Sequence, residues 1–235
     1  MTRADYPRFD ARVFPESPEI AKLVAGLPSA GRALFERGIP ETLLGGIYHA
    51  DPDLTVLARD ERAPVLRFGT SGLSQAIGID LATGEVVGVV DVPSRPTILV
   101  NATADTFTST VQAMIGRFPY YAKDTGYEEI DKVAEELREI IRSIDEKAAV
   151  PGCYWPAFAD DVQMGGFNTD EVLYWEDAMN EPDPPSRNLC AGPVAGRHYS
   201  IVVSELPEGI FQEMVDRGLV SVEKVVICHE HGTTC

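Results

Sequence analysis

The stretch from residue 65 to residue 120 constrains the fold more than any other part of the chain. It runs Val65-Leu66-Arg67-Phe68-Gly69, a Gly/Ser turn, then Ala76-Ile77-Gly78-Ile79-Asp80 and Leu81-Ala82-Thr83-Gly84-Glu85. An apolar run at 86–90 and Thr97-Ile98-Leu99-Val100-Asn101 follow, and then a helical pattern to Phe118. Short β-branched runs punctuated by Gly and Ser read as strands. Gly84 supplies the positive-φ position of a tight hairpin around Ala82-Thr83-Gly84. The expectation is three or four strands feeding a helix, and an α+β chain with a mainly antiparallel sheet, packed helices and a small C-terminal β-α-β extension.

The flanking segments add helices. Ser17-Pro18-Glu19-Ile20 has an N-cap, a proline at the first helical position and an early acid. Ile20, Leu23 and Val24 form its apolar stripe. Ser29 is the expected cap of a second short helix, which Gly38-Ile39-Pro40 ends. Residues 1–15 carry little pattern and are expected to wrap or fray. Asn101 or Thr103 caps the helix that follows the strands, with Phe107, Val111, Met114, Ile115 and Phe118 at helical spacing. Asn101-Ala102-Thr103 also has the form of a glycosylation sequon, but the helix cap is the better reading. The clearest helix is 127–148. Thr125 and Glu128 have capping-box spacing. Tyr127, Ile130, Val133, Ala134, Leu137, Ile140, Ile141 and Ile144 form one stripe. The paired acids Glu128-Glu129 and Glu135-Glu136 belong to its solvated face.

Cys153-Tyr154-Trp155-Pro156-Ala157-Phe158 is an aromatic cluster expected to close the core. A proline-rich stretch, Glu181-Pro182-Asp183-Pro184-Pro185-Ser186, reads as linker. Strands are expected at 198–203 and 222–228, with a helix at 209–217 between them. The expected organisation is a main domain over 1–175, an acidic linker over 176–190, and an extension over 191–235. That extension is too small to hold itself together and is expected to dock on the main domain.

No recognised catalytic motif appears. Gly69-Thr70-Ser71-Gly72 reads as a loop, and no Gly-Lys-Ser/Thr follows it, which excludes a phosphate loop. There is no Gly-x-Ser-x-Gly elbow. The deaminase signature is incomplete, because His49-Ala50-Asp51 and Pro151-Gly152-Cys153 lack a Cys-x-x-Cys. The tail Cys228-His229-Glu230-His231-Gly232-Thr233-Thr234-Cys235 holds two Cys and two His, yet the spacing fits no common zinc finger. A polar tail without metal is expected. No catalytic residue, cofactor or metal ligand is assigned, and a sheet without visible chemistry points to a protein that works by binding. The four cysteines are spread along the chain and are expected to be reduced.

Charge limits what is bound. Thirty-seven acidic residues against twenty basic ones give a net charge of -17. Nucleic acid and anionic membranes are therefore excluded as partners on sign alone. An acidic surface instead favours a basic protein, and solubility is the plain alternative. No apolar run is long enough to span a bilayer and the N-terminus has no apolar signal region, so a cytoplasmic protein is expected.

Several of these segments together carry a family resemblance. They are Phe68-Gly69, the 76–87 hairpin, Ile98-Leu99-Val100-Asn101-Ala102-Thr103 with Phe107, Arg117-Phe118-Pro119-Tyr120-Tyr121, and the acidic helix ending at Ile144-Asp145 followed by Tyr154-Trp155. Over about residues 14–162 the chain resembles the SUKH superfamily, and more specifically its fourth group of bacterial immunity proteins. The resemblance implies a non-catalytic protein that neutralises the toxin domain of a polymorphic toxin, often a nuclease or nucleic-acid deaminase. It carries over no catalytic residues.

The binding face expected for such a partner is the stretch 160–183, with eight carboxylates and no Lys or Arg. Its core is Asp160, Asp161, Asp170, Glu171, Tyr174, Trp175, Glu176 and Asp177. Aromatics inside a charged rim are a common interface composition. Asp51 and Asp53 are weaker candidates. Two rivals are an interaction or regulatory module without a toxin, and a small metalloenzyme using His49, Asp51 and the C-terminal tail. Oligomeric state is not legible in the sequence.

Overall fold

The computed structural model describes residues 8–44, 46–59, 62–72, 75–90 and 97–173, with the backbone of strands at 189–194, 197–200 and 225–227. The chain divides into two compact units, Met1–Asn180 and Glu181–Cys235.

The first unit is α+β. The described part of the 1–15 segment wraps onto the unit: β1 (Ala11–Arg12) pairs antiparallel with β2 (Ile39–Pro40), and Phe14 is buried in the core, while residues 1–7 lie outside the described residues. Helix α1 (Pro18–Val24) starts as the sequence dictates, with the Ser17 hydroxyl accepting from the Ile20 N–H at 3.3 Å. Helix α2 (Pro28–Arg32) runs into a π-helical turn, Ala33–Arg37. Ser29 is not its cap. The cap position is Leu27, Pro28 takes the first turn, and the Ser29 hydroxyl donates to Asp105 at 2.9 Å. Gly38, at φ 80°, turns the chain out of the helical segment and into β2.

Six strands form the main sheet in chain order: β3 (Thr42–Leu43), β4 (Tyr48–Arg59), β5 (Arg62–Ser71), β6 (Gln75–Asp80), β7 (Val86–Val90) and β8 (Ile98–Asn101), all antiparallel. The hairpin at Gly84, φ 77°, is where the sequence puts it. The longest strand, β4, is not. Its register with β5 jumps between Ala50 and Thr55, so Asp51, Pro52, Asp53 and Leu54 form a bulge. A proline and two acids that read as turn residues are tolerated there because a bulge has no ladder bond for the proline to break. The expected loop at 69–72 also lies largely inside β5. A Cβ on Gly69 would sit 2.5 Å from the Tyr48 ring, so this glycine lets a strand pass a large aromatic.

The core lies between the sheet and the helices. Tyr48, Phe68 and Phe107 meet edge-on or tilted, with ring centroids 5.3–6.4 Å apart. Helix α3 (Ala104–Arg117) buries Phe107, Val111, Met114 and Ile115, the stripe read from its spacing. Thr103 caps it reciprocally with Thr106. Helix α4 (Tyr127–Ile144) buries Ile130, Val133, Ala134, Leu137 and Ile141. The expected capping box is absent. Gly126 holds the cap position without a side-chain bond. Tyr127 is 83% exposed, because the stripe reaches the core only from Ile130 onward. A 3₁₀ turn (Lys147–Ala149) leads to α5 (Tyr154–Gln163), which buries Trp155, Phe158, Ala159 and Val162. No helix among the described residues is long and apolar enough to cross a membrane.

In the second unit, β9 (Leu189–Val194) pairs antiparallel on one side with β10 (Arg197–Ser200) and on the other with β11 (Val225–Ile227). Strands near 198 and 225 were expected. The central strand was not, since Gly192 and Pro193 disguise it. The expected helix at 209–217 lies outside the described residues.

Candidate functional site

The site is built on a buried polar joint. Strand β8 ends at Asn101, which is fully buried, so a glycan cannot be attached there. Its amide nitrogen donates to Asp145 at 3.0 Å and to Thr110 at 3.2 Å. Its carbonyl oxygen accepts from the Trp155 indole N–H at 2.8 Å. The Asp145 carboxylate also accepts from the Ala102 N–H (2.7 Å), the Thr106 hydroxyl (2.9 Å) and the Ala148 N–H (3.3 Å). One joint thus ties together β8, the start of α3, the end of α4 and the start of α5. Burial would raise the Asp145 pKa. The bonds from Ala102, Asn101, Thr106 and Ala148 outweigh burial and hold it below the ordinary carboxylate value.

With its N-terminus fixed, α5 lies antiparallel to α4. Arg138 of α4 donates to Asp160, Glu135 and Gln163, each at 2.6 Å, and Gln163 donates to Asp131 at 3.0 Å. The far end of α5 is held by Tyr121, whose hydroxyl donates to the Val162 carbonyl at 2.6 Å and lies against the Gly166 carbonyl. Burial, with the Glu171 charge nearby, pushes the Tyr121 pKa up to about 12. The Tyr121 carbonyl accepts from the Thr169 N–H at 2.9 Å, which anchors a helical segment at 169–173. Asn168 and Glu171 cap that segment reciprocally, at 3.0 and 3.1 Å.

Beside α5 runs a groove of about 810 Å³. Ile98, Ile141, Ala157, Phe158 and Phe167 supply much of its lining, and Arg138, Arg142, Asp160 and Asp161 its charges. Tyr154 crosses to the sheet, with its hydroxyl 2.8 Å from that of Ser71. Burial raises the Tyr154 pKa, the Ser71 bond opposes this, and Asp161 adds to it. Cys153 is a free thiol at the groove, its sulfur 3.6 Å from the Lys147 carbonyl. Burial pushes its pKa up, which makes it a poor nucleophile at neutral pH. Apolar walls with a few charges at the rim suit binding.

The structure brings together part of the expected face. Asp160 and Asp161 are exposed neighbours on α5, at the groove, and Asp170 is exposed on the next helical segment. Asp160 is already paired with Arg138, whereas Asp161 and Asp170 have no ion-pair partner among the described residues. Glu171 is half-buried and occupied as a cap. Tyr174, Trp175, Glu176 and Asp177 lie outside the described residues, as do Cys228, His229, His231 and Cys235. Among the weaker candidates, Asp53 is exposed. Asp51 is buried, and both its carboxylate oxygens are taken by Arg67, with Thr70 also bonded. The bulge turns Asp51 inward, away from any partner. The groove itself was not read from the sequence. Its residues come from segments around 47, 71–75, 98, 138–142 and 149–167, and no local signal links them.

No curated protein and no solved structure matches the chain. A family model described as SUKH-4 immunity protein matches residues 8–161, about two thirds of the 235-residue chain and the span that carries the sheet, the polar joint and most of α5. The chain therefore belongs to the SUKH-4 immunity protein family, whose role is toxin immunity.

Proposed function

We propose that this chain works in the cytoplasm as a non-catalytic inhibitor that binds and neutralises a basic toxin domain, one that acts on nucleic acid as a nuclease or deaminase. The observation that carries this reading is the combination of immunity-family membership with a net charge of -17. Toxins that grip nucleic acid carry basic clefts, and an acidic protein fills such a cleft in place of phosphate. The proposed contact face is Asp160, Asp161 and Asp170, continued through Glu171, Tyr174, Trp175, Glu176 and Asp177. Exposed carboxylates without a cation partner, such as Asp161 and Asp170, support it, since they give up no existing ion pair on binding.

The test is co-expression of this chain with a candidate toxin domain that acts on nucleic acid, taken from the chain's own host. The reading expects survival of the host and a stable complex that elutes as one species. Killing despite abundant folded protein overturns it. Protection by a regulatory route, without a complex, would favour the rival interaction module.

A further inference from the structure

We infer that the outer edge of β4 at residues 55–58 is where an extended basic segment of the toxin adds to the sheet as a seventh strand. The inference rests on the toxin-binding reading above and gives it a backbone contact.

The six-stranded sheet has two margins, and they are treated differently. At the β8 margin the strand is only four residues long, the 3₁₀ turn and α5 pack against it, and the Ala102 N–H just beyond it is taken by Asp145. That margin is closed. At the other margin β3 is two residues long and pairs only with Tyr48 and His49. The Ala50 N–H is taken by the Glu41 carbonyl at 2.7 Å, and the Asp51 carbonyl by Arg12 at 3.3 Å. Past the bulge this cover ends. Thr55, Val56 and Leu57 pair inward with Arg67, Leu66 and Val65 of β5. In an antiparallel ladder alternate residues point their N–H and C=O to the other side. On that side residues 55–58 have no backbone partner among the described residues.

An open edge is normally guarded by Lys, Pro or a bulge. Two guards flank this stretch, Pro52 with its bulge before Thr55 and a second irregularity between Leu57 and Arg59, but Thr55-Val56-Leu57-Ala58 itself has neither charge nor proline. Thr55, Val56 and Ala58 are exposed, Val56 by 42%. Unpaired edge groups of this kind recruit extended peptides by main-chain hydrogen bonds. Charge selects the occupant. Exposed Asp53 lies at one end of the edge and exposed Arg62, opposite the Asp80-paired Arg59, at the other, so the sign is set by the chain as a whole, which carries -17. A second copy would bring like charge, whereas a basic segment brings the opposite sign.

The probe is the toxin domain that this chain protects against in the co-expression test, catalytically inactivated, added to the full chain. Amide exchange at residues 55–58 should slow at least about tenfold in the complex. Thr55→Pro and Val56→Pro place the missing donor on opposite sides of the strand. The one that keeps the native melting temperature has lost the outward N–H, and it should lose about tenfold or more in toxin affinity. A complex that forms with unchanged exchange at 55–58, or with unchanged affinity in both proline variants, overturns the edge and leaves the immunity reading standing. No complex at all overturns both. Protection of 55–58 that rises with protein concentration in the absence of toxin assigns the edge to a second copy and overturns the toxin strand.

Discussion

Asp145 is predicted to be the most sensitive single polar position in the first unit. Asp145→Ala removes the acceptor of four donors at once. Three of these have alternatives. The Thr106 hydroxyl still reaches the Thr103 carbonyl at 3.0 Å, the Asn101 amide keeps Thr110, and the Ala148 N–H keeps the Asp145 backbone carbonyl at 3.1 Å. The Ala102 N–H and one proton of the Asn101 amide are left stranded. At about 1–3 kcal/mol for each stranded buried donor, the loss is roughly 2–6 kcal/mol. In a unit of this size that lowers the melting temperature by roughly 5–20 °C. Asp145→Asn is milder, about 1–2 kcal/mol. Its oxygen can face the three shorter donors, so that its amide conflicts only with the Ala148 N–H. The pH dependence has a fixed sign. The folded pKa of Asp145 is depressed, so its contribution is complete above the unfolded value, near pH 4, and is lost as pH falls through the folded value. Melting followed by near-ultraviolet circular dichroism should show a constant gap between wild type and Asp145→Ala from neutral pH to about 5, then a narrowing gap. A variant that melts within about 2 °C of wild type, or a gap that widens on acidification, would refute the joint.

Other outcomes follow from particular positions. Gly69→Ala should cost at least about 2 kcal/mol in a denaturant titration, because its Cβ meets the Tyr48 ring at 2.5 Å and the His49 carbonyl at 2.8 Å. Gly126→Asp should raise stability by a few tenths of a kcal/mol, since the α4 cap has no side-chain bond and a Cβ there meets nothing within 4 Å. Asp161→Asn with Asp170→Asn should leave the melting temperature unchanged and slow toxin association, measured by stopped flow; an altered dissociation rate alone would count against the acidic face. Residues 187–235 expressed alone should show no cooperative melt, because so short a chain has too small a core.

What the sequence makes legible here is what local chemistry decides. The Gly84 hairpin, the Ser17 and Thr103 caps and the stripes of α3 and α4 depend on neighbours within a turn or two, and they stand where spacing puts them. Strand β4 was hidden because Asp51-Pro52-Asp53 reads as a turn until the pairing with β5 shows a bulge. Gly69 read as loop because its reason, the Tyr48 ring across the ladder, is remote in sequence. The same limit applies to the site. Asp160, Asp161 and Asp170, singled out for their acidity, are exposed, but spacing does not reveal that Arg138 claims Asp160 or that Arg67 claims Asp51. Nor did the sequence reading link Asn101, Asp145 and Trp155, whose joint depends on three separate elements arriving together.

The most direct measurement is a titration of the purified toxin domain's activity on nucleic acid with this chain, paired with association rates over rising salt. The account predicts inhibition that is complete at one equivalent, with an association rate that falls steeply as ionic strength rises and the Debye length contracts below about 8 Å. Full toxin activity at excess inhibitor, or tight inhibition with an association rate indifferent to salt, would contradict it.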